Sequence, residues 1–234
     1  MQDPNLYNVL SLWQEVGQLN GQYFESTNWA AAYSFDSQWP NRIWLKPDTD
    51  LENLQPPDEL SVPLRLVLWQ NEVAEQNPQN WGWSEVFSLT AMSVDLNDMK
   101  APKGKLRLQK LNSAEDNKTW SQLFEEAFAY RYSPNLVANT DRLLDYYLAF
   151  DGDQPIGTIA IYRDSQGEAG LYSMGVPARF RRQGFAQEIL SGALNILKEE
   201  GHPKVYLQAS EMGKPLYLQN GFQSDFEMIH YQKD

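Results

Sequence analysis

The chain has 234 residues, no cysteine and a formal net charge of −12, from 19 basic and 31 acidic side chains. This length is sufficient for one large or two small domains with a substantial core. The acidic balance argues against nucleic acid as a partner and is compatible with an amine-bearing acceptor. The absence of cysteine argues against a disulfide-stapled secreted scaffold and excludes an acyl-cysteine route.

The location of the protein is predicted from two further features of the sequence. No stretch of residues is as long and as apolar as a membrane span. The first residues, Met-Gln-Asp-Pro-Asn, lack the basic start and the apolar run of a signal peptide. We therefore expect a cytoplasmic protein without a membrane partner.

The first hundred residues are rich in tryptophan and are predicted to form a helix followed by strands. Seven of the eight tryptophans lie before Ser84. Apolar side chains recur at helical spacing over residues 7–19 and predict a helix. Strands are predicted at residues 31–35, 42–45, 64–69 and 86–94, with a Pro- and acid-rich loop at residues 47–63. The shift in composition, together with the polar stretch 97–104, predicts a boundary near residue 100.

The residues after this boundary predict a strand, two helices and an antiparallel meander. Ser113 and Asp116 resemble a helix-capping box, and an apolar helical face that includes Trp120 follows it. A second, shorter helix is predicted at residues 140–147. Asp151-Gly152 is typical of a hairpin turn. Strands are predicted at residues 106–110, 156–162 and 170–176, with turns at residues 150–157 and 164–167.

The segment from Pro177 to Gly201 predicts a basic turn followed by a long helix. Pro177 ends the preceding strand because it has no N–H to donate. Apolar residues at helical spacing predict a helix that starts near Arg182 or Gln183, so its first free N–H groups lie in residues 182–186. These donors, the positive end of the helix dipole and a glycine without Cβ at Gly184 suit an anion such as phosphate. The alternative is a basic, soluble helix start with no ligand.

The last part of the chain predicts a strand at residues 204–209 and a short helix that begins near Pro215. One or two final strands are predicted at residues 223–231. His202 is predicted at the surface, and His230, late in the last strand, is predicted to be structural.

Two motifs in these elements resemble those of one family. Arg181-Arg-Gln-Gly-Phe-Ala186 matches the pattern (Gln/Arg)-x-x-Gly-x-(Gly/Ala), and Tyr217-Leu-Gln-Asn-Gly-Phe222 matches Tyr-x-x-x-Gly-Phe. Both motifs, and the order of the predicted elements over residues 106–231, resemble the GNAT superfamily of acyl-CoA-dependent N-acyltransferases. The resemblance implies an α/β fold with a mixed, mostly antiparallel central sheet flanked by helices. A smaller Trp-rich α/β domain would precede it.

The resemblance also implies a site for acetyl-CoA as co-substrate, with no metal. Two parallel strands, 171–176 and 204–209, are expected to splay apart around the pantetheine arm. The backbone of Met174, Gly175 and Val176 would bond the pantetheine amides, and the N–H of Val176 would polarise the acetyl carbonyl. The pyrophosphate would bind to the loop formed by Arg181, Arg182, Gln183, Gly184, Phe185 and Ala186.

The implied reaction is direct attack by a small-molecule or peptide amine on the thioester. Tyr217 is the candidate general acid, because the leaving thiolate needs a proton. Glu211, just after the second splayed strand, is a weaker candidate for the general base. A water relay, or no dedicated base at all, is equally compatible with the sequence.

The role of the Trp-rich segment stays open at this stage. Residues 1–100 are compatible with a degenerate half-copy of the fold that has lost coenzyme binding, and residues 104–234 with the catalytic domain. Most of the tryptophans are assigned to the core, with Trp39 or Trp81 as candidates for an acceptor pocket or a homodimer contact. Two alternatives to an N-acetyltransferase remain: a non-catalytic acyl-CoA-binding sensor or scaffold, and a Trp-lined carbohydrate-binding protein.

Overall fold

A computed structural model describes residues 3–20, 22–47, 49–54, 62–69, 77–97 and 105–234. The helices with α geometry in these ranges are α1 (Pro4–Leu19), α2 (Ala114–Phe128), α3 (Pro134–Asn139), α4 (Phe185–Glu199) and α5 (Lys214–Gln219). The strands are β1 (Tyr23–Glu25), β2 (Trp29–Ala32), β3 (Arg42–Leu45), β4 (Arg65–Trp69), β5 (Trp83–Asp95), β6 (Arg107–Lys110), β7 (Leu144–Asp151), β8 (Gln154–Arg163), β9 (Ala169–Gly175), β10 (Lys204–Ala209) and β11 (Gln223–Lys233).

All eleven strands belong to one sheet, in the order β1-β2-β3-β4-β11-β5-β10-β9-β8-β7-β6. Only the pairs β3–β4 and β9–β10 are parallel, and the other neighbours are antiparallel. This is the expected α/β fold with a mixed, mostly antiparallel sheet. The strand β5 lies between β10 and β11, so a strand from the first hundred residues is inserted among strands from the end of the chain.

The helices cover the two faces of the sheet and create separate apolar clusters. α1, α2 and α3 pack on one face, called the α1 face, around a cluster that includes Trp13, Trp120 and Tyr162. α4 and α5 pack on the opposite face, called the α4 face, around a cluster that includes Ile159 and Leu190. No helix in the described ranges is long and apolar enough to cross a bilayer.

The helix and strands of the N-terminal part are of the predicted types, and most differ from the predictions only in where they begin and end. α1 begins three residues before the predicted helix, since the Asp3 side chain accepts hydrogen bonds from the N–H groups of Asn5 and Leu6. β3 has the predicted bounds, whereas β2 is shifted toward the N-terminus and β5 is longer than predicted. Most of the tryptophans are buried, although Trp81 is 44% exposed. The predicted boundary between the domains falls on residues 98–104, outside the described residues, and stays a prediction.

The helix predicted at residues 140–147 is wrong. The second, shorter helix is α3, which begins at Pro134 with Ser133 as its N-cap and ends at Asn139 with Thr140 as its C-cap. Residues 144–151 instead form β7, which pairs with both β6 and β8. Tyr146 and Leu148 join the cluster on the α1 face and Tyr147 and Ala149 the cluster on the α4 face, so both faces of the strand are buried. A strand with two buried faces has no alternation to distinguish it from a helix.

Candidate functional site

The two parallel strands β9 and β10 separate soon after they meet. Their pairing is limited to Ala169 with Val205 and Gly170 with Tyr206. β9 then continues to Gly175 and β10 to Ala209 without further pairing between them. The two strands therefore enclose a gap that opens toward their carboxyl ends, which is the expected splay.

A β-bulge shapes the β9 side of this gap. The register between β8 and β9 shifts by one residue between Thr158 and Ala160. Ser173 in the bulge has a φ of +54°, and its carbonyl accepts a hydrogen bond from the Thr158 hydroxyl at 2.9 Å. A bulge turns the strand away from its neighbour and re-aims its backbone groups. A serine gives no sequence signal for this conformation, so the bulge was not predicted.

The basic loop follows β9 at the open end of the gap. α4 begins at Phe185, so the helix start predicted near Arg182 or Gln183 is two to three residues too early. Arg182 and Gly184 have φ values of +60° and +83°, which a right-handed helix cannot contain. The first hydrogen bond of the helix runs from the N–H of Glu188 to the carbonyl of Gly184 at 3.2 Å.

This start leaves the N–H groups of Phe185, Ala186 and Gln187 without a carbonyl one turn earlier, and α4 has no side-chain N-cap. A Cβ built on Gly184 would have no described atom within 4 Å apart from its chain neighbours, so the space above this residue is open to the described part of the protein. Free donors, the positive end of the helix dipole and an open approach together form a cradle that fits an oxyanion.

The three arginines of the loop have different surroundings. The guanidinium of Arg181 donates to the carbonyls of Val176 and Ala127, each at 3.0 Å, and so ties the loop to the end of β9 and to α2. Arg179 forms an ion pair with Glu126. Arg182 is exposed and has no ion-pair or hydrogen-bond partner in the described part of the chain. Arg182 is therefore the free positive charge of this loop.

The motif at residues 217–222 is hydrogen-bonded to the helix that follows the motif at residues 181–186 through a pair of side-chain amides. The side chains of Gln187 on α4 and Asn220 after α5 exchange two hydrogen bonds of 2.8 Å. Asn220 also donates to the carbonyl of Leu216, closing the end of α5. These contacts hold α5 beside the start of α4. The role of Gln187 was not predicted from sequence.

Tyr217 on α5 is buried in the cluster on the α4 face. Its ring packs edge-on against Phe222 at 5.5 Å between centroids. Burial raises the pKa of Tyr217 well above its ordinary value, so the hydroxyl keeps its proton at neutral pH. Its hydroxyl has no hydrogen-bond partner among the described residues, which leaves it available as a donor. Glu211 is exposed in the turn after β10, at the open end of the gap.

Two buried asparagines of α1 support the gap from the α1 face. The Asn8 side chain accepts a hydrogen bond from the Tyr172 hydroxyl of β9 at 2.6 Å. The Asn5 side chain accepts one from the Gln208 amide of β10 at 2.9 Å. One helix thus contacts both splayed strands, a role that its sequence pattern did not indicate.

His230 on β11 is buried on the α1 face, and neither ring nitrogen has a hydrogen-bond partner in the described residues. It stacks on Phe87 with 4.3 Å between ring centroids. Burial, and then the positive charges of Arg42 and Arg65, hold the pKa of His230 well below its usual value. The imidazole is therefore neutral in the folded protein.

We expect the free energy of unfolding to fall as the pH drops below about 6.5, because the unfolded chain then binds a proton at His230 that the folded chain does not. The slope from this group approaches about 1.4 kcal/mol per pH unit. Urea unfolding measures this effect: between about pH 7 and pH 5 the free energy of unfolding should fall less in His230→Met than in the wild type. His202→Gln removes the other of the two histidines, and the free energy of unfolding of this control should fall with pH as it does in the wild type. Equal slopes in wild type and His230→Met would contradict this assignment.

Two surface clefts, of about 360 and 330 Å³, share no residue with the strand gap. The larger is lined by polar residues that include Asp36 and Asn139, and the smaller by Lys110 and Asp141. Within the described ranges, no group of three or more histidine and acidic side chains is placed to hold a metal ion.

A splayed pair of parallel strands followed by a glycine-containing helix start is the architecture of an acetyltransferase fold. The chain matches the model of the acetyltransferase (GNAT) family over residues 106–222, half of its length, and therefore belongs to that family. No curated protein has a matching sequence.

Solved structures share this fold over nearly the whole chain. A GCN5-related N-acetyltransferase from Kribbella flavida has a TM-score of 0.68 and 14% identity, covering 99% of this chain and 96% of that one. A GNAT-family protein from Novosphingobium aromaticivorans has a TM-score of 0.64 and 15% identity, with coverages of 98% and 97%. A functionally unknown conserved protein from Staphylococcus epidermidis has a TM-score of 0.63 and 15% identity, with coverages of 90% and 92%. At these identities the likeness shows the fold alone.

Proposed function

We propose that this protein transfers an acetyl group from acetyl-CoA to a primary amine in a ternary complex. The observation that carries the proposal is the gap between β9 and β10, which opens beside the cradle at the start of α4. A strand edge without a partner can bond the amides of an extended pantetheine arm, and the cradle suits its pyrophosphate. The family membership supports the same reading.

The proposed binding roles follow from these surroundings. The backbone of Met174, Gly175 and Val176 bonds the pantetheine arm, since this end of β9 has no strand partner on the β10 side. The N–H groups of Gly184, Phe185 and Ala186 bind the pyrophosphate, and Arg182 contributes a free charge. Arg181 and Gln183 complete the loop, with Arg181 acting through its hydrogen bonds to backbone carbonyls.

In the proposed reaction the neutral amine attacks the thioester carbonyl carbon. The new C–N bond forms and the C–S bond breaks, so the sulfur leaves with the electron pair. Tyr217 donates its proton to that sulfur, and its buried, protonated hydroxyl suits this role. The attacking nitrogen loses one proton to Glu211 or to water, and solvent then returns a proton to Tyr217. The products are an amide and the free thiol of CoA.

Calorimetric titration with acetyl-CoA and with CoA, together with a thiol-release assay on a panel of amines, tests the proposal. We expect both nucleotides to bind with one-to-one stoichiometry and at least one class of amine to release thiol. Binding without turnover on the panel would favour the non-catalytic sensor. Absence of binding would overturn the proposal, because the gap and the cradle would then have no coenzyme to hold.

A further inference from the structure

Two arginines lie side by side on the α1 face, and neither has a counter-ion among the described residues. Arg42 on β3 and Arg65 on β4 are register partners in the parallel pair. Neither guanidinium forms an ion pair with a carboxylate in the described ranges of the chain. Arg42 is only 9% exposed, and burying a cation is costly unless an anion accompanies it.

The polar atoms around these arginines are incompletely satisfied. Arg42 donates through Nη1 to the carbonyls of Pro40 and Asn41, at 2.6 and 3.1 Å, but its buried Nε has no partner in the described part of the chain. The guanidinium of Arg65 lies over the Phe87 ring at 5.0 Å and donates to no described side chain. Both ring nitrogens of His230 also lack a hydrogen-bond partner within the described ranges. Buried donors without acceptors are rare in native proteins, so these groups call for an acceptor from outside the described residues, and a bound oxyanion would supply one.

This group of residues, called the arginine cluster (Arg42, Arg65, Phe87, Tyr130 and His230), extends toward the open end of the strand gap through Phe87. β10 ends at Ala209, opposite Thr90, and β5 continues past that point through Phe87 to Trp83. Phe87 is the register partner of His230 on β11. Phe87 therefore borders the region that β10 leaves uncovered, and His230 and Arg65 lie one and two strands farther along the same sheet.

On the β9 side of the gap, a series of aromatic rings leads to the arginine cluster. A Cβ built on Gly175 would lie 2.5 Å from the ring of Phe128, so this ring closes against the end of β9. Phe128 is 6.0 Å from Tyr130 between ring centroids. Burial raises the pKa of Tyr130, and the nearby positive charges of Arg42 and Arg65 act in the opposite direction, so both arginines lie close to this ring. Phe87, Tyr130 and Arg65 are half-buried and form the partly exposed side of the cluster.

We propose that Arg42 and Arg65 bind an oxyanion on the acceptor, so that the acceptor is a primary amine that also carries a carboxylate or a phosphate, such as an amino acid. This inference rests on the proposed function, because it places the amine of the same molecule at the gap. Planar guanidinium groups bind both oxyanions through paired N–H donors. The flanking rings suit the apolar part of the acceptor.

The test is a thiol-release assay, with binding measured by calorimetry on the CoA-saturated protein. The panel contains the common L-amino acids, their carboxamides, the amines without the carboxylate, and phosphoethanolamine with ethanolamine. We expect oxyanion-bearing amines to bind and react with lower KM than their neutral counterparts. Comparison of KM for the amino acids with KM for phosphoethanolamine shows whether a carboxylate or a phosphate is the preferred group.

Arg65→Gln should raise KM for the preferred amine about 10- to 100-fold, the factor for one charged hydrogen bond. It should leave KM for the neutral counterpart and for acetyl-CoA unchanged. Arg107→Gln is the matched control, since Arg107 also lies over a phenylalanine ring, Phe150 at 4.2 Å, but on the edge strand β6. This control should change none of these values.

The outcomes separate this inference from the proposed function. Loss of acetyl-CoA binding to the wild-type protein would overturn the proposed function itself. Coenzyme binding with equal or better use of the neutral amines would overturn only the arginine site. Failure of every oxyanion-bearing amine to bind or react, or an unchanged KM in Arg65→Gln, would overturn it as well.

Discussion

Gly184→Val is expected to lower the affinity for acetyl-CoA by at least about 100-fold, the largest binding effect of any single change that we foresee. Gly184 has a φ of +83°, and apart from its chain neighbours no described atom lies within 4 Å of the position that its Cβ would occupy. The added Cβ therefore meets open space, and the valine side chain would extend to where an oxyanion approaches the start of α4. Calorimetric titration with acetyl-CoA measures the change directly.

The backbone strain of this variant needs its own control. A β-branched residue at this φ is strained by about 1–2 kcal/mol even without a ligand. Gly167→Val supplies the comparison, because Gly167 also has a φ of +83° and no atom within 4 Å of its added Cβ. Both variants should lose similar stability in urea unfolding, but only Gly184→Val should lose coenzyme affinity. Retained affinity in Gly184→Val would show that the cradle is not the pyrophosphate site.

Tyr217→Phe is expected to reduce kcat by about 100-fold or more and to leave the affinity for acetyl-CoA unchanged. The substitution removes a hydroxyl that has no hydrogen-bond partner among the described residues, so the packing against Phe222 is retained. Only the proton donated to the leaving sulfur is lost. Because burial raises the pKa of Tyr217, its proton is held throughout the neutral range. Steady-state kinetics with the preferred amine measures the effect.

Tyr147→Phe is the matched control for this prediction. Tyr147 is 8% exposed and belongs to the same apolar cluster as Tyr217, but it lies on β7, three strands from β10 in the sheet. Loss of its hydroxyl should leave kcat near the wild-type value. If Tyr217→Phe and Tyr147→Phe had the same kcat as the wild type, Tyr217 would have no part in the proton transfer.

Much of the C-terminal half of the fold could be predicted from the sequence because the signals in this half are local. Three of these signals depend only on residues that are close together in the sequence. They are the apolar period of residues 186–197, Pro177 before the loop and Asp151-Gly152 in the hairpin. The start of α4 was misplaced because positive φ at Arg182, a residue that seldom adopts it, gives no sequence signal. The strand β7 was misread because burial of both faces erases the alternation that identifies a strand.

The sequence by itself determined the family, the order of most of the elements and the two motifs that border the proposed coenzyme site. The tertiary structure decided how these parts meet: the two-pair contact of β9 with β10, the support of both strands by Asn5 and Asn8, and the use of Arg181 as a backbone clamp. It also brought Arg42, Arg65 and His230 together from three strands. These contacts join residues far apart in the chain, and their register depends on the packing of the whole sheet, which local periodicity does not encode.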